Sequence, residues 1–317
     1  MDALYNAAKP RVVAIGGPTA TGKTALSVAL AKRFGGEIIS ADSMQIYQGL
    51  DVGTAKVTPE EMQGVPHHLV GFLAPEQAFS VADFTTLAGK TITQLMAQGK
   101  LPLVVGGTGL YITSLLNGIG FTPGKVDPAI RQELQARLQA EGSQALYAEL
   151  AAVDPGYAAK VHPNNTPRVI RALELYRATG RKMSAEREAA RPAEKPYRSL
   201  CLCLTCRDRT LLYQRIDTRC DRMMQSGILE EAKLVYDHRD TYRTAAQAIG
   251  YKEFFPFFEG TAALDECADK LKQASRNYAK RQLTWFRHMD GVVWLDASAP
   301  DVTARAVQLT REFLAKG

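Results

Sequence analysis

The chain has 317 residues, which is enough for two domains or for one enlarged domain with a sizeable core. Its 46% hydrophobic and 23% charged residues are ordinary for a soluble globular protein, and the sequence contains no run of 18 apolar residues that would predict a transmembrane helix. The N-terminal residues lack the basic and apolar segments of a secretory signal, so a cytoplasmic location is expected.

Basic residues are unevenly distributed along the chain. The formal net charge is +6, from 39 basic and 33 acidic residues, but residues 160–219 alone hold 14 basic and six acidic side chains. One basic segment in an otherwise nearly neutral protein indicates a polyanion as partner, although a solvated helical surface would have the same composition. The five cysteines are an odd number, which argues against a disulfide framework and favours buried reduced thiols.

The first predicted strand, residues 12–15, is followed by a complete P-loop. Residues 17–24 match G-x-x-x-x-G-K-[ST], and a helix is predicted over 25–34. Backbone N–H groups of such a loop bind a di- or triphosphate, with Lys23 as a point charge and Thr24 near Mg²⁺. The predicted donor-binding residues are Gly17, Pro18, Thr19, Ala20, Thr21, Gly22, Lys23 and Thr24.

Asp42 follows the second predicted strand, residues 37–41. In a doubly wound sheet, ligands bind beyond the carboxyl ends of the strands, so Asp42 is predicted to face whatever the P-loop holds. A carboxylate there accepts a proton from an acceptor nucleophile or helps to hold Mg²⁺, and a structural helix cap is the alternative.

The third predicted strand, residues 101–105, ends in Gly106-Gly107-Thr108. Many P-loop nucleotidases carry an aspartate for Mg²⁺ at this position. Glycines instead let a substrate approach the backbone closely, and the Thr108 hydroxyl is able to hydrogen-bond at a reacting centre. The lack of this aspartate weakens an ATP-hydrolysis interpretation and favours a P-loop that binds the diphosphate of another donor.

Two further strands, 199–205 and 292–295, complete a pattern of strands alternating with helices, which predicts an α/β fold with a P-loop NTPase-like, doubly wound parallel sheet. No strand pattern occurs from about residue 124 to residue 198, where Asp127-Pro128 and Thr166-Pro167 are typical helix starts. We therefore predict a core domain of residues 1–123 and 199–317 and an all-helical insertion domain of residues 124–198.

The motifs together resemble the bacterial tRNA dimethylallyltransferase family, also called isopentenyl-diphosphate:tRNA transferases. Besides the P-loop, the matching motifs are Ser40-Ala-Asp-Ser43, Asp51-Val-Gly-Thr-Ala-Lys56, Pro66-His-His68, Gly106-Gly-Thr108, His162-Pro-Asn164, Arg168-Val-Ile-Arg171-Ala-Leu-Glu174 and Lys280-Arg-Gln-Leu-Thr-Trp285. The resemblance covers about residues 11–296. The sequence lacks the C-terminal zinc finger of eukaryotic members, which implies the bacterial form. It gives no chemical role to His67 and His68.

The resemblance implies transfer of a dimethylallyl group from dimethylallyl diphosphate to the exocyclic amine of the adenosine on the 3′ side of the tRNA anticodon. Asp42 would accept the amine proton and Thr108 would hydrogen-bond the base. Lys23 and Arg219 would stabilise the leaving diphosphate, with Arg215 or Arg222 as alternatives to Arg219 in an arginine-rich helix. Mg²⁺, held by Thr24 and Asp42, is the expected cofactor, and a monomer is expected.

The resemblance also implies a tRNA-binding set, with the basic helical insertion as the clamp for the anticodon stem-loop. Its members are Asp42, Ser43, Met44, Gln45, Thr108, Arg131, Pro167, Arg168, Val169, Ile170, Arg171, Gln247, Ala248, Ile249, Gly250, Tyr251 and Lys252. Within it, Tyr251 would offer a stacking ring and Lys252 a cation, although an isolated tyrosine is more often a core residue.

Two other functions compete with this one. A small-molecule or nucleoside kinase would hold ATP in the P-loop and use Asp42 to activate an acceptor hydroxyl. A non-catalytic, GTPase-like RNA-binding module would need a guanine-reading Asn-Lys-x-Asp motif, which the sequence lacks. The basic helical segment favours an RNA acceptor over a small one.

Overall fold

A computed structural model describes residues 9–121, 128–190, 192 and 194–316. Its contacts divide the chain into two compact units. Unit 1 consists of Met1–Leu116 and Pro196–Gly317, and unit 2 of Asn117–Lys195. The predicted boundaries, 124 and 198, both lie a few residues further along the chain; of the predicted helix start at Asp127-Pro128, Asp127 lies outside the described residues.

Unit 1 is built on a six-stranded sheet in which every pair of neighbours is parallel. The strands are β1 (Arg11–Gly16), β2 (Gly36–Ser40), β3 (His67–His68), β4 (Leu101–Val105), β5 (Arg198–Thr205) and β6 (Val292–Asp296), in the order β3-β2-β4-β1-β5-β6. The α/β fold and the five predicted strands are confirmed. The strand β3 was not predicted, because two histidines do not form an apolar run.

Helices cover both faces of this sheet, as alternation along β1 shows. Val12 and Ala14 belong to the core formed with the helices over residues 81–97 and 109–116, whereas Val13 and Ile15 belong to the core formed with the helices over residues 23–34 and 302–315. The helices of unit 1 are α1 (Lys23–Phe34), α2 (Pro59–Met62), α3 (Val81–Ala97), α4 (Gly109–Leu116), α10 (Arg209–Gln225), α11 (Ile228–Asp237), α12 (Phe255–Phe258), α13 (Leu264–Arg287) and α14 (Val302–Ala315), with short 3-10 helices at Ala245–Gln247 and Lys252–Phe254.

A third core of unit 1 lies among α10, α11 and α13. Tyr47, Tyr251 and Phe254 are fully buried there. All five cysteines are buried free thiols, as predicted. Among the described residues, no helix is long and apolar enough to cross a membrane.

The described residues of unit 2 form helices and no strand. The helices are α5 (Pro128–Glu141), α6 (Ser143–Val153), α7 (Pro155–Ala158), α8 (Thr166–Thr179) and α9 (Met183–Ala189), packed around Leu134, Leu150 and Leu173. The carboxylate of Asp154 accepts the backbone N–H of Tyr157 at 3.1 Å and so caps α7. The Thr166-Pro167 start predicts Thr166 as the N-cap residue of a helix, but α8 begins at Thr166 itself and its N-cap residue is Asn165.

Candidate active site

Three loops meet at the carboxyl ends of neighbouring strands in unit 1. Because β1, β2 and β4 are adjacent and parallel, the P-loop, the segment after Ser40 and the segment after Val105 lie side by side. They form one wall of a cleft of about 1120 Å³, whose other walls come from the 51–61 segment, α10, α13 and residues 247–249 and 252. The cleft is large enough for a small phosphorylated ligand together with part of a second substrate.

The P-loop residues divide into cleft wall and support. Thr19, Ala20, Gly22, Lys23 and Thr24 line the cleft, whereas the other three predicted residues, Gly17, Pro18 and Thr21, are buried. Gly17 has a φ of 133°, and a Cβ atom there would lie 2.5 Å from the Leu204 carbonyl oxygen, so this turn requires glycine.

The carbonyl of Pro18 holds the loop closed. It accepts hydrogen bonds from the Thr21 hydroxyl at 2.8 Å and from Lys23 Nζ at 2.7 Å. Lys23 is the first residue of α1, whose N-cap is Gly22. The ammonium and the helix N-terminus therefore favour an anion at the same place.

Two cations, Lys23 and Arg219, line the cleft and interact electrostatically with each other and with Asp42. Burial, and in second place the Arg219 guanidinium, lower the pKa of Lys23 to about 8, while the charge of Asp42 opposes the change. Burial also lowers the pKa of Arg219. Buried like charges are unfavourable unless an anion neutralises them, so this arrangement indicates an anion-binding site.

Of the three candidate arginines on α10, Arg219 is the one coupled to the P-loop. All three line the cleft, but the charge of Arg219 acts on Lys23, and Asp42 acts on both cations. Arg215 instead approaches the thiol of Cys206, at 3.7 Å from Sγ. The electrostatic coupling to Lys23 thus favours Arg219 over Arg215 and Arg222 for the anion.

Asp42 and Thr108 lie on adjacent loops that are joined by hydrogen bonds. The Thr108 hydroxyl oxygen accepts the backbone N–H of Ser43 at 3.1 Å, and the Thr108 N–H donates to the Ala41 carbonyl at 3.2 Å. Asp42 Oδ1 accepts the N–H groups of Met44 and Gln45, at 2.9 and 3.3 Å. Since both bonds use one oxygen, the carboxylate is oriented while its other oxygen is left for chemistry in the cleft.

The predicted Mg²⁺ ligands, Thr24 and Asp42, both line the cleft. No group of three or more His, Cys, Asp or Glu able to hold a metal occurs in the described ranges. Mg²⁺ is commonly held by one or two protein oxygens together with substrate phosphates and water. One hydroxyl and one carboxylate beside an anion site fit that kind of binding, in which the ion enters with the phosphorylated ligand.

Helix α13 contributes site residues to which the sequence assigned no role. Tyr278, Arg281 and Gln282 line the cleft, and burial raises the pKa of Tyr278 to about 12, with the charge of Asp42 acting in the same direction. Only Arg281 and Gln282 fall in a motif noted in the sequence, and nothing in the motif said what they contact. His67 also lines the cleft, and its Nδ1 lies 2.9 Å from the Val65 carbonyl oxygen.

Most of the predicted tRNA-binding residues of unit 1 lie on the same cleft. Ser43, Met44, Gln45, Gln247, Ala248, Ile249 and Lys252 line it together with Asp42. Tyr251 does not: its ring is 0% exposed and its hydroxyl donates to Glu231 Oε1 at 2.7 Å. The stacking role is therefore wrong for this conformation, because the ring packs in the core against Gly53.

In unit 2 the predicted tRNA-binding residues fall into two groups. Pro167, Arg168 and Arg171 are exposed on α8, as is Arg131 on α5. Val169 and Ile170 are buried in the helical core, so a contact of these two side chains with RNA is not supported. Both side chains are apolar, so they occupy the face of α8 that packs in the core of unit 2, and the arginines on either side of them occupy the exposed face.

The exposed arginines are partly neutralised within unit 2. Arg131 and Arg171 both pair with the carboxylate of Glu174, which is 0% exposed. The basic excess is also divided between the units, because residues 160–195 hold nine basic and four acidic residues while residues 196–219 hold five and two. The local charge thus supports a polyanion partner for both units and not for unit 2 alone.

Known proteins match nearly the whole chain. A family model described as IPP transferase matches residues 45–289, and one described as isopentenyl transferase matches residues 10–70. The tRNA dimethylallyltransferase of Bacillus subtilis is 50% identical over 93% of this chain and 93% of that protein. That of Halalkalibacterium halodurans is 46% identical over 95% and 96%.

Solved structures agree with these matches. The crystal structure of the tRNA isopentenylpyrophosphate transferase of Bacillus halodurans has a TM-score of 0.70 at 45% identity, covering 97% of this chain and 96% of that one. A eukaryotic dimethylallyltransferase, described as acting on tRNA, has a TM-score of 0.80 at 32% identity, covering 96% and 79%. Because a family model spans most of the sequence and relatives match it almost end to end, this chain belongs to the IPP transferase family, that of the tRNA dimethylallyltransferases.

Proposed function

We propose that the protein transfers a dimethylallyl group from dimethylallyl diphosphate to the exocyclic amine of the adenosine 3′ to the anticodon of tRNA. The observation that carries this proposal is one cleft in which the cations Lys23 and Arg219 lie beside the oriented carboxylate of Asp42. Relatives named tRNA dimethylallyltransferases support the same assignment.

The donor half of the reaction uses the P-loop. The bond between the allylic carbon and the diphosphate oxygen breaks, and negative charge grows on the departing diphosphate. Lys23, Arg219 and the loop N–H groups stabilise that charge more strongly than they stabilise the intact donor. Mg²⁺, held by Thr24 together with diphosphate oxygens, would neutralise further charge on the same group.

The acceptor half uses Asp42 and Thr108. A bond forms between the adenine amine nitrogen and the allylic carbon, and one amine proton moves to the Asp42 carboxylate. Thr108 hydrogen-bonds the base and, through the Ser43 N–H, stays in a fixed relation to Asp42. The adenosine reaches the cleft by leaving its stack in the anticodon loop, which costs a few kcal/mol for a single-stranded base.

The proposed RNA contacts lie on both units. Residues 42–45, 247–249 and 252 line the cleft, and Arg131, Pro167, Arg168 and Arg171 are exposed in unit 2, which we propose as the domain that clamps the anticodon stem-loop. The contacts to phosphates position the RNA, whereas the cleft selects the base. We further propose a monomer in the cytoplasm, where tRNA and the donor are both found.

The test is transfer of label from radioactive dimethylallyl diphosphate to unmodified tRNA, with phosphate release from ATP followed in parallel. We expect one labelled group per acceptor tRNA and no ATP cleavage. The absence of a carboxylate at the end of β4, where Gly106 and Gly107 stand, disfavours the kinase alternative. Stoichiometric ATP cleavage coupled to RNA modification would replace the transferase with that alternative.

A further inference from the structure

Gln282 joins the P-loop to the loop that follows β4 through both ends of its side-chain amide. Its Oε1 accepts the backbone N–H of Thr19 in the P-loop at 3.1 Å, and its Nε2 donates to the carbonyl of Gly107 at 3.0 Å. The residue is 5% exposed. Buried amides with both ends satisfied hold one orientation, because a flipped amide would oppose donor to donor and acceptor to acceptor.

Gly107 is matched to this amide by size. A Cβ atom at Gly107 would lie 2.1 Å from Gln282 Nε2, which is closer than real Cβ contacts allow. The φ of Gly107 is not in the left-handed region, so contact with Gln282, and not backbone conformation, is what excludes a side chain here.

The helix that carries Gln282 is a firm support. Near its C-terminus, Trp285 Nε1 donates to the Thr113 hydroxyl on α4 at 3.0 Å. A Cβ atom at Gly16 would lie 2.4 Å from the Phe286 ring, so the helix packs directly on β1. Further back, Arg276 pairs with Asp217 on α10 at 2.5 Å. Helix α13 is thereby fixed to the strand before the P-loop, to the helix after Thr108 and to the helix that bears Arg219.

We propose that Gln282 is a positioning residue that sets the spacing between the diphosphate-binding loop and the loop of Gly107 and Thr108. This inference rests on the proposed function, in which the first loop holds the donor and the second the acceptor base. The amide would then fix the distance between the allylic carbon and the attacking amine. A misplacement of about 1 Å can cost a factor of about 100 in rate.

Loss of this spacing favours water as a competing nucleophile. In that side reaction the carbon–oxygen bond to the diphosphate breaks, a water oxygen forms the new bond to the allylic carbon, and the water loses a proton. The products are dimethylallyl alcohol and diphosphate. The ratio of alcohol to modified tRNA is set within each active molecule, so partial unfolding or a low active fraction leaves it unchanged.

The experiment compares Gln282→Met with Gln273→Met, an exposed glutamine on the same helix. Single turnovers with labelled dimethylallyl diphosphate and tRNA would be quenched and both products counted. For Gln282→Met we expect the transfer rate to fall about 10- to 100-fold and the alcohol-to-tRNA ratio to rise about tenfold. Donor affinity should change less than about threefold, because Lys23 and Arg219 are untouched, and Gln273→Met should match wild type.

Gly107→Ala tests the same contact from the other side and replaces Gln282→Met if that variant does not fold. It should raise the same ratio, since its methyl group displaces the amide. Wild-type rates and product ratios in both variants would overturn the inference while leaving the proposed function intact. A wild-type enzyme that labels no tRNA would instead remove the proposed function and the inference together.

Discussion

The hydroxyl of Tyr251 donates to Oε1 of Glu231 at 2.7 Å, and the same carboxylate accepts three consecutive backbone N–H groups, those of Asp51, Val52 and Gly53, at 2.6 to 3.0 Å. Residues of the 51–56 segment form a wall of the cleft. One acidic side chain on α11 therefore anchors a loop that lies 178 or more residues earlier in the chain.

Glu231→Gln should destabilise the fold by about 2 kcal/mol or more, because an amide nitrogen would face backbone N–H donors that the carboxylate now accepts. Tyr251→Phe removes one hydrogen bond to a charged group and should cost about 1.5–3 kcal/mol. Urea denaturation measures both. Glu230→Gln, at the exposed neighbouring position, is the control and should lie within about 0.5 kcal/mol of wild type. Equal stability of Glu230→Gln and Glu231→Gln would contradict the anchoring role.

Donor affinity should weaken as the pH rises above about 8. Burial and the nearby Arg219 guanidinium together lower the pKa of Lys23 to about 8, so the free enzyme loses the Lys23 charge above that pH. The bound diphosphate favours the protonated ammonium, so each further pH unit should reduce affinity by up to about tenfold. Titration of a non-hydrolysable donor analogue from pH 6.5 to 9.5 measures this. Lys23→Arg, which stays charged in this range, should give a flat profile; a similar fall would assign the titration to another group.

Asp42→Asn should lower the single-turnover rate by about 10²–10⁴ while tRNA still binds. Asparagine keeps the Oδ1 acceptor, so the N–H groups of Met44 and Gln45 retain their partner and the loop keeps its shape. Single-turnover transfer and filter binding of tRNA separate the two effects. A near-normal rate would remove Asp42 from the role of general base, and rescue by high Mg²⁺ would assign it to metal binding instead.

The P-loop and its strand were predictable because their signal is local. Glycines, a lysine and an apolar run lie within about 15 residues, and each restricts the backbone of its neighbours. The two-residue strand His67–His68 was not predictable, since its place depends on pairing with Ile38 and Ile39 of β2 rather than on its own composition. The stacking role of Tyr251 was wrong because burial of its ring depends on packing against Gly53, far earlier in the chain, and on the hydrogen bond of its hydroxyl to Glu231.

The α13 side of the site could not be inferred for a similar reason. The hydrogen bond between Gln282 and Thr19 joins residues 263 positions apart, and no spacing along a helix reveals such a partner. Asp42 and Thr108 could be predicted as site residues because a general rule for parallel sheets places the ends of adjacent strands together. No comparable rule says which helix face closes the cleft.

Arg168→Ala should weaken tRNA binding and reduce its dependence on salt. Arg168 is exposed on α8 and has no ion-pair partner among the described residues, whereas Arg171 is held by the buried carboxylate of Glu174. Each phosphate contact contributes about 0.7–0.9 to the slope of log affinity against log salt. We therefore expect Arg168→Ala to lower that slope by about this amount, with donor affinity unchanged. Arg171→Ala should also weaken binding but will in addition leave Glu174 with one partner fewer, so Arg168 is the cleaner probe.

Filter binding at four or more salt concentrations gives the slopes, with Lys270→Ala, an exposed position on α13 whose residue does not line the cleft, as the control. Curves for Arg168→Ala that overlay wild type at every salt concentration would show that this face of unit 2 does not contact RNA phosphates.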